Sequence, residues 1–105
     1  MYFMDRIGYF EKMLRDDPTN ATGLLALANE YGKAGRREDE AATLGRYVEA
    51  HDDEGNAYLR LGQTLAELGR EPEAREVFRR GIAQAERHGH DGMVAEMTLA
   101  LEDLD

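Results

Sequence analysis

Apolar residues return every third or fourth position through almost the whole chain. Leu24, Leu27, Ala28 and Tyr31 form one run, and Tyr58, Leu61, Gly62 and Leu65 form another. Val77, Phe78, Ile82 and Ala85 continue the pattern, followed by Met93, Met97, Ala100, Leu101 and Leu104. Such spacing puts each run on one face of a helix. No stretch sustains the alternation of β-branched residues that a half-buried strand requires, so the pattern predicts an all-α protein.

Breaks punctuate the runs. Asp17-Pro18-Thr19-Asn20 stops one helix and offers Thr19 or Asn20 as cap for the next. Gly35 and Gly69 follow helical runs, where the chain commonly turns through a left-handed residue. Asp52 and Asp53 stand ready to cap a helix beginning near Glu54, and Pro72 suits a first helical turn. His88-Gly89-His90-Asp91 closes a fifth helix and opens a sixth. The spacing therefore predicts six helices, at about 3–16, 20–34, 37–50, 54–68, 71–88 and 91–103.

The pattern also repeats. Gly35 and Gly69 lie 34 residues apart, and at that offset Leu24 meets Tyr58, Leu27 meets Leu61, Ala28 meets Gly62, and Tyr31 meets Leu65. Past the glycine, Leu44 meets Phe78 and Val48 meets Ile82. Small and large apolar residues return together. Helix pairs of this kind leave an apolar face that the next pair covers.

With these residues in place, the chain resembles the tetratricopeptide repeat (TPR) family. "AYLRLGQTLAELGREPEAREVFRRGI" carries the marks: Tyr58, the Leu61-Gly62 pair, Gly69 at the turn, then Ala74 and Phe78. "LLALANEYGKAGRREDEAATLGRYV" carries a weaker set in Leu27, Ala28, Tyr31 and Gly35. Its alanine, Ala41, falls one residue past strict register, where Glu40 stands. A one-residue insertion in the turn or a shifted helix would explain the offset. The resemblance covers roughly residues 7–88. It implies a right-handed solenoid of about six antiparallel helices in one domain. Residues 1–20 would be a half repeat, 21–54 and 55–88 two full repeats, and 89–105 a capping helix.

Composition narrows the function. Against 13 Lys and Arg stand 22 Asp and Glu, a net charge of −9. That surface repels phosphate backbones and anionic lipid, so neither nucleic acid nor a membrane surface is an expected partner; it favours a basic protein, or serves solubility alone. There is no cysteine, which removes disulfides, thiolate metal sites and cysteine nucleophiles. The opening "MYFMDRIGYF" is interrupted by Asp5 and Arg6 and does not read as a signal peptide. No apolar run reaches the ~20 residues of a membrane span. The expected location is the cytoplasm.

Candidate chemistry fares poorly. His88, His90 and Asp91 superficially suggest zinc, but such a site needs a further ligand and supporting hydrogen bonds. His51-Asp52-Asp53-Glu54 lacks the alternating oxygen ligands of a calcium loop. "LGREPEA" has one glycine and two acids where a phosphate cradle wants several glycines and a lysine. The chain has no serine, and Glu38, Asp39, Glu40, Glu71, Glu73 and Glu76 fall in helix-starting turns or on outer faces. The expectation is no enzyme, no metal and no cofactor.

What remains is a surface. In the family, the first helices of successive repeats line a groove that binds peptides. The resemblance therefore points to Leu25, Asn29 and Lys33 in the first repeat and to Leu59, Arg60, Gln63 and Glu67 in the second. Met93 and Met97 extend that stripe. Leu25 and Leu59 are spare to the core spacing, so they read either as an apolar strip with polar neighbours or as packing against adjoining helices. Asn29 and Arg60 match part of a family clamp for a terminal carboxylate, but Leu25 stands where its lysine belongs, and no such clamp is expected. The leading expectation is a non-enzymatic module for a protein or peptide partner, itself a monomer or weak homodimer. The alternative is a self-associating scaffold that uses an apolar first helix bearing Tyr2, Phe3, Met4 and Ile7, unless these pack inward as the N-terminal cap.

Overall fold

A short, repeated turn sets the architecture. After Tyr31, Leu65 and Ala85 the chain closes the same motif: the N–H of Arg36, Arg70 or His90 donates back to those carbonyls at 2.9 Å. The preceding glycine, Gly35, Gly69 or Gly89, has φ of 74°, 78° or 71° and donates to the carbonyl three residues earlier. This is the Schellman ending, and its left-handed residue is glycine because a Cβ is disfavoured there. Each turn sends the chain back along the helix it has just left.

The structure, a computed structural model, describes residues 2–105, with side chains from residue 6 onward. Among these it forms six helices and no strand: α1 (Tyr2–Asp16), α2 (Ala21–Lys33), α3 (Arg37–Ala50), α4 (Asn56–Glu67), α5 (Glu71–Arg87) and α6 (Asp91–Asp103). The protein is all-α, built of TPR-like helix pairs. It divides into two compact units, one up to His51 and one from Asp52 to Asp105.

In the first unit α2 packs against both α1 and α3. Its Gly23 lies against Met13 and Leu14 near the end of α1, and Glu30 reaches Arg6 near its start, so α1 and α2 run antiparallel. Leu14, Leu24, Leu27, Ala28, Leu44 and Val48 make the core. Asn20 caps α2, its Oδ1 accepting from the Gly23 N–H at 2.8 Å.

In the second unit α5 packs against both α4 and α6. Asp53 opens α4 by accepting from the N–H groups of Gly55 and Ala57 at 2.8 and 2.9 Å. Phe78 on α5 covers Gly62 on α4: a Cβ at that glycine would stand 2.7 Å from Phe78 Cδ1. Burying such a ring contributes roughly 1.5–3 kcal/mol.

The third helix differs from expectation. No residue is inserted in the turn and no helix is shifted: α3 and α5 start at Arg37 and Glu71, the same distance past Gly35 and Gly69. Glu40 itself occupies the position that Ala74 fills in the second unit. Gly32 makes the room, since a Cβ there would stand 2.9 Å from Glu40 Oε2.

Candidate interaction surface

One row of α2 is left open. Leu25, Asn29 and Lys33 follow one another a helical turn apart; Asn29 and Lys33 are exposed and Leu25 is half-buried. Glu30, next to Asn29, turns inward and is buried. Its Oε2 accepts from Arg6 Nη2 at 2.8 Å and lies 3.5 Å from Lys33 Nζ. The Arg6 hydrogen bond, aided by both cationic charges against desolvation, holds the Glu30 carboxyl below the usual carboxylate range. Lys33 thus borders a cleft of about 490 Å³ shared with Arg6, Ile7, Glu30 and Ala34.

The face of α2 turned between α1 and α3 is different. Tyr31 is buried there, its hydroxyl donating to Glu11 Oε2 at 2.6 Å and its ring lying 4.6 Å beneath the Arg36 guanidinium. Burial, together with the Glu11 hydrogen bond and charge, pushes the phenol up to about 12.

In the second unit Arg60, Gln63 and Glu67 share one side of α4 at three- and four-residue steps; Gln63 and Glu67 are exposed and Arg60 is half-buried. Leu59 does not join them. It is only 8% exposed, in a first turn where Ala57 and Tyr58 are buried too, so it belongs to an enclosed helix start and not to a leucine strip open to solvent. Met93 is half-buried against Gly55. Met97 is 0% exposed: it fills the notch over Gly55 and Gly81, with its Sδ 2.6 Å from where a Gly81 Cβ would sit. It is a core side chain. The side chains of Tyr2, Phe3 and Met4 lie outside the described residues; Ile7 is half-buried.

The histidines each meet a different partner. His88 Nε2 lies 3.5 Å from Asp52 Oδ2, and His90 Nε2 lies 3.4 Å from Glu54 Oε2. His51 Nε2 meets the Thr19 carbonyl, a contact that requires the proton on that nitrogen because a carbonyl only accepts. Among the described residues no group of three or more His, Asp or Glu is arranged to hold a metal ion. No helix among them is long and apolar enough to cross a membrane.

The chain as a whole has a named relative. A TPR repeat-containing protein of Pseudomonas aeruginosa is 34% identical over 95 residues, which cover 90% of this chain and 90% of that one. The chain belongs to the TPR family. No protein-family model matches it. In the first unit Glu40 stands where the second has Ala74, and Glu30 takes the place that Thr64 holds 34 residues later. Both are buried.

Sequence reasoning missed the Arg6–Glu30 and Tyr31–Glu11 pairs. Their partners lie 24 and 20 residues apart on different helices, so only the packing of α1 on α2 reveals them. The Glu40 placement did leave a signal. Gly32 stands where the second TPR has Ala66, a small-for-larger change facing a large-for-small one.

Proposed function

We propose that this protein is a non-enzymatic interaction module that holds a peptide or helix of a partner protein on exposed polar helix faces, one carried by α2 in the first unit and one by α4 in the second. The observation that carries this reading is the recurrence of exposed polar residues at equivalent places: Asn29 and Lys33 on α2, and Gln63 and Glu67 on α4, 34 residues further on. Amide side chains there offer both donors and acceptors to a peptide backbone. Leu25 and Arg60 flank these rows as half-buried contacts. The net charge of −9 favours a basic partner.

Replacing Asn29 and Gln63 together by Lys, which removes both amides and repels a basic partner, tests the reading. Both are exposed, so helicity and melting should stay as in the native chain, while capture of the partner from the source cells should be lost. Capture that survives the double substitution moves the binding site elsewhere.

A second reading, self-association, draws on α1. Tyr9 is 62% exposed beside Phe10, an apolar surface on the first helix. Light scattering after size exclusion decides it, because a strict monomer at high concentration ends that reading.

A further inference from the structure

We propose that the open groove between α1 and α3, floored by α2, is a second docking site, fitted to a partner peptide that carries a Lys or Arg and, further along, an Asp or Glu. This inference does not rest on the faces of α2 and α4. Leu27 and Tyr31 leave α2 about 200° round the helix from Leu25 and Asn29, at about 100° per residue, so the groove lies on the opposite side.

The groove encloses about 490 Å³ over a floor of Leu14, Leu27 and Tyr31. Its rims are charged, and the charges are sorted by sign. Towards one end stand Glu11 from α1 and Asp39 from α3. The Tyr31 hydroxyl donates to Glu11, and Arg36, which covers the Tyr31 ring, bonds Asp39 Oδ2 at 2.8 Å. Two carboxylates thus face one guanidinium there. Towards the other end stand Arg15, in the last turn of α1, and Arg46 from α3. Arg46 donates to the Pro18 carbonyl at 3.0 Å, which places it beside the loop that leaves α1. Two arginines thus line this end of the groove, on a chain of net charge −9.

The spacing of the rims sets the spacing of the ligand. Four residues separate Glu11 from Arg15 and seven separate Asp39 from Arg46. At 1.5 Å per residue the two ends lie roughly 6–10 Å apart along the helices. A helical peptide meets both with opposite charges at i,i+4 to i,i+7, and an extended one at i,i+2 or i,i+3. The groove is open along its length, so it suits a chain segment better than an enclosed small molecule. Opposite signs at its ends reject a peptide bearing two like charges, which is specificity by repulsion.

The test uses the full chain and three blocked, labelled ten-residue peptides in an alanine–leucine background. They carry Lys and Glu, two Lys, or two Glu, four positions apart. Fluorescence anisotropy should show the Lys/Glu peptide binding at least about tenfold tighter than either other. In the Arg15→Glu/Arg46→Glu variant the groove becomes acidic throughout, and the preference should pass to the two-Lys peptide. Should that variant fail to fold by circular dichroism, Arg15→Gln alone should weaken the Lys/Glu peptide severalfold. Three results overturn the proposal: a native chain that prefers the two-Lys peptide, as a merely acidic surface would; no binding of any peptide; or a preference unchanged by the substitutions. Native dimers that dissociate in the same variant also overturn it, because the occupant is then a second copy.

Discussion

Glu40 lies across Gly32. A Cβ on that glycine would stand 2.9 Å from Glu40 Oε2, and Glu40, 5% exposed, has its Oε1 held by Arg37 Nη1 at 2.9 Å. The second unit has Ala66 and Ala74 at these two positions. The first unit thus exchanges two small residues for one very small and one large, and keeps the 34-residue register. The long acidic side chain is accommodated because its neighbour has no side chain at all.

This predicts a strong coupling between the two positions. Gly32→Ala alone should destabilise the chain by about 1–2 kcal/mol, since the added methyl meets a buried carboxylate. Combined with Glu40→Ala, the same substitution should be neutral or should stabilise by up to about 1 kcal/mol, the helix preference of alanine over glycine. Urea denaturation of the four chains of the cycle measures the coupling. Additive effects would mean that the two residues do not touch.

The contact of Gly62 with Phe78 gives a simpler expectation. Gly62→Leu must displace a ring that is 1% exposed, and should cost about 1–3 kcal/mol in a thermal melt. Adding Phe78→Ala should recover part of that loss by vacating the ring's volume. An unchanged melting temperature for Gly62→Leu would remove the close approach of α4 and α5 from the account.

These two glycines also mark how far the sequence could be read. The turn residues and the apolar period are local, so six helices and the repeat register were legible from Gly35, Gly69 and the leucine spacing. Ala41, one residue past strict register, suggests an insertion or a shifted helix because an acid at a core position looks forbidden until the residue facing Glu40 is known. Leu59 and Met97 were read as surface because helical spacing says which residues share a face, not what that face meets. Leu59 lies in an enclosed first turn, and Met97 fills a notch left by two glycines on other segments. Asn29 and Gln63 are exposed, as helical spacing alone implies for positions off the apolar face.

Tyr31 should make the chain sensitive to alkali. Its phenol is pushed from 10.0 to about 12, so the folded state holds this proton more firmly than the unfolded state does. The stability it contributes is complete below pH 10 and is lost as pH rises through about 12. Urea midpoints of the native chain should therefore fall more steeply over that interval than those of Tyr31→Phe. The comparison cancels the other tyrosines, and parallel pH profiles would exclude the buried hydroxyl as the source.

Met97 and Leu99 stand two residues apart on α6 and should behave oppositely. Met97 is 0% exposed over Gly55 and Gly81, whereas Leu99 is 62% exposed. Truncating Met97 to Ala opens a cavity that glycines cannot fill, at a cost of about 2–5 kcal/mol. Truncating Leu99 to Ala should change stability by less than about 0.5 kcal/mol. Because the two substitutions lie on one helix, their difference isolates the face of α6 that packs on α5 from any change in the helix itself. Equal effects in denaturant melts would mean that α6 is rotated from the position described.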